Sequence, residues 1–443
     1  MKRKQEKKQR AKAAETLEMI SNGYIAILVT LFLLYTGDTG YLGISETKRD
    51  LYYVTGILYV IVTLIVVFWS LWAQKLRKDY LRQQINGCAA ELTFAIAYLL
   101  VTLISALCSR YGKVVWLGAS RQEGACTITL YVLTFCCLAL FFKPKDYLIH
   151  ILGISVTVFC TIAILQFSGA NPLHLYPNGM DYRTSPQPFI GTVGNVAFVA
   201  AFLCIAIPVI LGTVLLTKLR YRFWLIIPLS LSFFTLIKIS VLAGYVGIAM
   251  SMFFLIPLVA RIDLKTYGVF ACVLLFLAIA IVYFISWTSG LAYELNQLLH
   301  GNVDPRFGSG RIYIWTEVLR RVPEALLIGH GPDTMRLAGI EPFSRYDVAL
   351  KSIVTSEIDV AHNEYLNVLF HQGILGLISY LGLTICIVIK RIKKKLNSSS
   401  TAILMIATVS YLSQAMFGIS QVIVAPFFWA LLGCLTRLSC ADR

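Results

Sequence analysis

Charge is scarce in this sequence. Asp, Glu, Lys and Arg make up 14% of its 443 residues, while 58% are apolar. Soluble globular domains run near ~25% charged and ~45–50% apolar, and disordered chains depart in the opposite direction. Both classes are excluded. Eleven cysteines are present, mostly inside apolar stretches, and none shows the paired two-residue spacing of a zinc site. Cys108 and Cys126 flank one loop near a membrane face and are the only pair placed to form a disulfide. No internal repeat suggests the inverted halves of a carrier. The apolar stretches also lack the Asp, Glu or His relays that mark ion pathways. Glu91 lies near the inner end of its stretch, where it can reach the interface.

What the sequence has instead is a series of long apolar stretches. A helix crossing the ~30 Å hydrocarbon core needs ~17–25 residues. Stretches of about that length occupy residues 20–36, 52–73, 88–107, 126–142, 147–167, 193–216, 222–238, 240–259, 267–288, 363–389, 401–418 and 422–437. The expected fold is an all-α polytopic membrane protein with about 12 transmembrane helices. The first stretch follows a basic tail and has no small-residue cleavage site before the Gly37–Gly43 turn, so it reads as a signal anchor.

The net charge of +16 could point to nucleic acid, but its distribution points elsewhere. With the N-terminus inside, the inner segments include Lys75, Arg77, Lys78 and Arg82, Lys143 and Lys145, and Lys218, Arg220 and Arg222. Lys390, Arg391, Lys393, Lys394 and Lys395, with Arg443 near the C-terminus, lie on the same side. The outer segments are close to neutral, as the positive-inside rule requires. Both termini are therefore expected in the cytoplasm, and no nucleic-acid partner is needed.

Four regions follow: a basic tail (1–19), spans 1–9 (20–288), one long outer loop between spans 9 and 10 (289–362), and spans 10–12 with the C-terminus (363–443). Long loops tend to be functional. Within this one, Arg311–Arg321 has helical periodicity, with Ile312, Trp315, Val318 and Leu319 on one face and Pro323 closing it. Such a helix could lie on the bilayer, with Trp315 as an interface anchor. Arg is favoured outside: Arg110, Arg121 and Arg183, and in the long loop Arg306, Arg311, Arg320, Arg321, Arg336 and Arg345. Arg binds phosphate through a planar fork that Lys lacks, although pairing with neighbouring acids would account for several of them.

The loop ends in His362-Asn363, nine residues before Gly373-x-x-Gly376. On a helix continuous from His362, both glycines would lie beneath the histidine and let a neighbouring helix approach, while His371 faces away. Upstream, Gly329-His330-Gly331-Pro332 reads as a tight turn or an anion nest. Gly191-Thr192-Val193-Gly194-Asn195 reads as a helix start capped by Asn195, or as a headgroup contact.

An outward-facing His, outer Arg and a body embedded in lipid suit transfer of a sugar from a polyprenyl-diphosphate donor. A neutral His can act as base toward an acceptor hydroxyl, and Arg can stabilise the departing diphosphate. The chain has no Asp-x-Asp pair for a metal; Glu357-Ile358-Asp359 comes nearest.

The His362-Asn363 pair with Gly373 and Gly376, Arg311-x-x-x-Trp315, Gly329-x-Gly331 and Gly191-Thr192-x-Gly194-Asn195 together resemble the O-antigen ligase and polymerase superfamily. The resemblance is strongest over roughly residues 186–390. It implies a C-type membrane glycosyltransferase architecture and use of an undecaprenyl-diphosphate-linked glycan without metal or other cofactor. The acceptor would be a lipid, glycan or wall hydroxyl at the outer face of the bacterial inner membrane. Carried across, His362 would be the base and Arg311 the diphosphate partner; Arg320, Arg336, Asn363, Asn195, Gly329 and Gly331 are further candidate substrate contacts on their place in the sequence. Where the family commonly has a Ser-Arg pair, this chain has Lys238-Ile239-Ser240, so Lys238 would supply the charge without the bidentate grip. A repeat-unit polymerase shares this architecture, as does a peptidoglycan-type polymerase. A polysaccharide or lipid transporter and a non-catalytic pathway partner are the alternatives outside the enzyme class.

Overall fold

The computed structural model describes residues 2–38, 40–76, 78–176, 190–347, 352–393 and 398–441. Arg77, Arg183, Lys394, Lys395 and Arg443, which entered the charge reading, lie outside the described residues.

The chain is a bundle of helices. In order they are α1 (Lys2–Ile27, continued by a π turn Leu28–Phe32), α2 (Ile44–Trp72), α3 (Lys78–Gly87), α4 (Ala89–Cys108), α5 (Val114–Leu117), α6 (Ala125–Phe141), α7 (Tyr147–Phe167), α8 (Val196–Leu216), α9 (Ile226–Ile239), α10 (Leu242–Ala260) and α11 (Leu264–Phe284). The outer segment contributes α12 (Gly290–Leu299), α13 (Phe307–Arg321) and a two-stranded antiparallel ribbon, β1 (Phe343–Asp347) with β2 (Ser352–Ser356). Then come α14 (Glu364–Lys393), α15 (Ser399–Ala415) and α16 (Ala425–Ala441). Each apolar stretch of the sequence overlaps one helix. Among the described residues, eight helices have the length and hydropathy to cross a membrane on those grounds alone. Among the others, α6, α15 and α16 have only 17 residues each, and α1 begins in the charged tail. The ribbon is the one described exception to an all-α chain.

The centre of the bundle is α8, buried on almost all sides and packed by α10, α15 and neighbours including Phe427 of α16. None of the membrane-crossing part of α11 is buried, although it is apolar throughout. A helix of that composition is stable on the outside of a bundle only where lipid surrounds it. At the start of α4, Glu91 is 1% exposed and forms an ion pair with Lys390 at 2.6 Å, joining α4 to α14. It is therefore partnered inside the protein and does not reach the interface. Cys108 and Cys126 are both free thiols.

Two expectations for the outer segment are corrected. First, the apolar face of α13 is largely taken up by protein. Ile314 and Val318 are buried in a small second core with Met335, Ile358, Ala361 and Phe370, so the helix packs over the outer end of α14. Leu319 is exposed, and the Trp315 ring lies beside Phe417. Second, α14 is not continuous beneath His362. It begins at Glu364 and breaks at Gly373, whose φ of 68° and ψ of −169° are accessible essentially to glycine alone. The break frees backbone groups that a membrane helix cannot leave unpaired. Residues 326–331 satisfy them: His330 N donates to Phe370 O (2.9 Å) and Gly331 N to His371 O (3.1 Å), while Ile374 N and Leu375 N donate to Leu326 O (2.8 Å) and Leu327 O (3.2 Å). Ser105 of α4 donates its hydroxyl to His371 O at 2.7 Å. The close partner of Gly373 is thus the outer segment, not another helix.

A Cβ at Gly373 would fall 2.4 Å from the carbonyl carbon of Leu327, on top of the backbone strain. Gly373→Ala should therefore cost at least ~1–3 kcal/mol and lower the melting temperature in detergent. Gly268→Ala on α11, where nothing lies within 4 Å, is the control and should not. Equal melting of the two variants would remove the clamp.

Candidate active site

The turn that carries His362 is held from both sides. Asn367, in the first turn of α14, accepts from Ala361 N at 2.8 Å, and Trp315 of α13 donates its indole N–H to Ala361 O at 2.9 Å. His362 follows with φ of 49°, a left-handed conformation uncommon for a residue with a side chain. Asn363 then caps α14, its side-chain oxygen accepting from Leu366 N at 3.1 Å. The imidazole is mostly withdrawn from solvent. Burial pushes its pKa down to about 4, with the charges of Arg311 and Arg121 adding and Asp359 opposing. At neutral pH it is therefore unprotonated and able to accept a proton.

Arg311 reaches the same region by an unusual path. Gly308, Ser309 and Gly310 all have positive φ (64°, 60° and 85°), so the regular helix starts at Arg311 itself. A side chain at Gly310 would strike the Phe343 ring at 2.5 Å. The guanidinium is half-buried and donates only to backbone carbonyls, Gly308 O at 2.9 Å and Phe417 O at 3.4 Å; its Nε has no partner.

The other outer arginines differ. Arg49, Arg121, Arg306, Arg320, Arg321 and Arg336 each pair with a carboxylate: Asp50, Asp359, Asp304, Glu317, Glu324 and Glu357 respectively. Arg110 stacks on Tyr111. Arg311 is thus a partly desolvated cation without a counter-charge among the described residues, beside a neutral histidine. The two carboxylates of Glu357-Ile358-Asp359 are each occupied by an arginine.

The remaining candidates fall elsewhere. Arg320 and Arg336 are exposed and ion-paired. Gly329 packs backbone to backbone on the α14 break, where a Cβ would sit 2.4 Å from the His371 carbonyl. Its neighbour Gly331 is pressed on Ser109, so this turn serves the clamp. Asn195 caps α8, accepting from Ala197 N at 2.8 Å, which is the capping alternative for that motif. Lys238, at the end of α9, lies over the Phe167 and Phe234 rings at 4.8 and 5.5 Å.

The structure also brings in residues that the motifs did not single out. Arg121, in the loop before α6, makes a two-pronged contact with Asp359 at 2.8 and 2.9 Å, three residues before His362. Its loop is fixed by Asp333, which accepts from Ser120 N (3.0 Å) and Arg121 N (2.8 Å). Behind the turn these groups line a polar cleft with Glu123, Glu364, Asn367 and Gln372. At about 50 Å³ it is far below the ~300–1,000 Å³ of a ligand pocket, so it is a supporting seam behind the site. Glu364 accepts from both Tyr380 and Tyr411 there.

Residues 227–381 match the family model described as O-antigen ligase. The matched stretch runs from α9 through the outer segment into α14 and contains Lys238, Arg311, Gly329, Gly331, His362 and Asn363. Over that stretch the likeness to the O-antigen ligase superfamily holds. No curated protein matches the chain.

A histidine-selective NMR titration of the purified protein, with His362→Gln for assignment, should show that the resonance lost in that variant stays neutral well below pH 6.5. Arg311→Gln removes a charge that disfavours protonation, so it should move that titration upward. An assigned His362 resonance titrating near 6.5 in the wild type and unmoved by Arg311→Gln would contradict the arrangement.

Proposed function

We propose that this protein is a membrane glycosyltransferase of the O-antigen ligase type, acting in cell-surface polysaccharide biosynthesis in the bacterial inner membrane. It has about twelve spans, both termini in the cytoplasm and the site at the outer face. The donor is a glycan on undecaprenyl diphosphate, and the acceptor is a hydroxyl of a lipid, glycan or wall polymer. The observation that carries this reading is the unpaired guanidinium of Arg311 next to an imidazole held neutral by burial.

In this reading the acceptor O–H loses its proton to His362 as its oxygen bonds to the anomeric carbon. The bond from that carbon to the diphosphate breaks, and the electron pair leaves with the diphosphate. The charge developing on that oxygen is met by the two prongs of Arg311. The same charge raises the proton affinity of His362, since an anion nearby favours imidazolium. The base thus strengthens as the leaving group departs. Arg121, tied to Asp359, orients the turn from behind. Lys238, at the end of α9, is the remaining candidate contact for the donor.

A repeat-unit polymerase uses the same donor chemistry, and the O-antigen ligase match extends to it at the superfamily level. The two are separated by the lipid-linked intermediates of the native host after deletion. Long chains accumulating on the carrier make the protein the ligase, and single repeat units make it the polymerase. His362→Ala should insert normally yet lose transfer by ~10²–10⁴-fold. Arg311→Lys keeps the charge but loses the fork, and should lower kcat by up to ~10²-fold. Full restoration of the surface glycan by His362→Ala would end the enzymatic reading.

A further inference from the structure

A second cavity among the described residues has none of the His362 site residues in its lining. It measures about 830 Å³ and opens at the end of the bundle that carries the basic loops. Its long wall is one stripe of α8, from Phe202 through Ile205, Val209 and Thr213 to Leu216, at the i, i+3/i+4 spacing of a single helix face. Facing it are Leu28 at the α1 π turn, Leu152 of α7, Ile403 of α15 and Leu431 of α16. The polar groups along this wall are already engaged. Thr213 and Thr217 donate their hydroxyls to Val209 O and Thr213 O, each at 2.7 Å. The interior therefore offers hydrocarbon and no free donor from that helix.

The mouth is different. Lys145, Lys218 and Arg220 stand around it against one acid, Asp146. All three cations are exposed, and none forms an ion pair among the described residues. Nearby Lys143, which is outside the lining, pairs with Glu18 at 3.6 Å. Ser398 and Ser400 flank the first turn of α15, whose N-cap residue Ser398 makes no side-chain capping bond, so that turn also presents amide donors. A long apolar slot with a cationic mouth is complementary to a molecule that is hydrocarbon along its length and anionic at one end.

Length decides between the lipid classes that fit this description. From Phe202 to Leu216 the slot runs about 21 Å at 1.5 Å per residue. That covers one leaflet and its headgroup region, where the hydrocarbon core is ~30 Å thick for both leaflets. A polyprenyl chain entering from the opposite face would reach this mouth with its apolar end, leaving Lys145, Lys218 and Arg220, the last lying over the Tyr221 ring, without an anion.

We infer that this cavity is a binding site for an anionic phospholipid of the inner leaflet, with an acyl chain along α8 and the headgroup phosphate between Lys145, Lys218 and Arg220. The site lies outside the transfer chemistry and is independent of that reading. A lipid seated there fills the space between α1, α7, α8, α15 and α16, and so supports the helix that the rest of the bundle packs around.

The test uses the full chain, purified in mild detergent and exchanged into mixed micelles containing phosphatidylglycerol, phosphatidylcholine or undecaprenyl phosphate. Native mass spectrometry reads occupancy, and melting temperature reads the consequence. The expected result is one phosphatidylglycerol retained in preference to phosphatidylcholine, with a raised melting temperature. That preference should fall at least tenfold when Lys145→Gln, Lys218→Gln and Arg220→Gln are combined on the exposed mouth. Val209→Trp, which fills the slot, should abolish retention while leaving the mouth intact; if it fails to fold, the triple variant still decides. Equal retention of phosphatidylcholine, or anionic lipid unaffected by the triple variant, would overturn the site. So would undecaprenyl phosphate outcompeting phosphatidylglycerol, or inorganic phosphate alone giving the full stabilisation.

Discussion

A broken turn in a membrane helix must find hydrogen-bond partners, because lipid supplies none. In this protein that constraint falls on Gly373. The carbonyls of Phe370 and His371 and the amides of Ile374 and Leu375 are all taken by residues 326–331 of the outer segment. Because those groups would be costly to leave open, the outer segment is not a loop resting on the bundle but part of its backbone bonding. Everything above the clamp inherits that rigidity: α13 packs over the outer end of α14, Trp315 reaches Ala361, and the His362 turn is held between them.

Electrostatics in the site follow from the same enclosure. Burial keeps His362 neutral, and it also makes the unpaired charge of Arg311 expensive to carry. The half-buried Arg49 and Arg121 each meet a carboxylate and the more exposed Arg306, Arg320, Arg321 and Arg336 incur less of that cost, whereas Arg311 has only carbonyl oxygens. A site built around one uncompensated cation is suited to an anion that arrives and leaves. Arg121 by contrast has a carboxylate partner, Asp359, to balance its charge.

How much of this could be read from the sequence depends on the range of the physics involved. Apolar stretches reveal helices because hydrophobicity is local, and each stretch became one. His362 and Arg311 could be singled out by residue type and by likeness to a family. The break at Gly373 could not be, because the sequence around it keeps a helical pattern and a membrane glycine more often marks close helix packing. Gly329, open between turn and nest, took its meaning from a backbone more than forty residues later. Arg121 was noticed only as one outer arginine among several; its partner Asp359 is 238 residues away in the chain. The ribbon β1–β2 was missed because two five-residue strands in a polar segment leave little periodicity.

The clamp also sets an order of events during synthesis. Residues 326–331 emerge from the ribosome well before residues 370–375, and chains are made at ~5–20 residues per second with N-terminal parts folding first. Until α14 has entered the bilayer, the outer segment has no backbone to close on, and the His362 turn has neither Asn367 nor a helix beneath it. The turn that carries His362 therefore stays unformed through most of the chain's insertion. The site takes shape in one late step, when the tenth apolar stretch threads into place and the break at Gly373 docks.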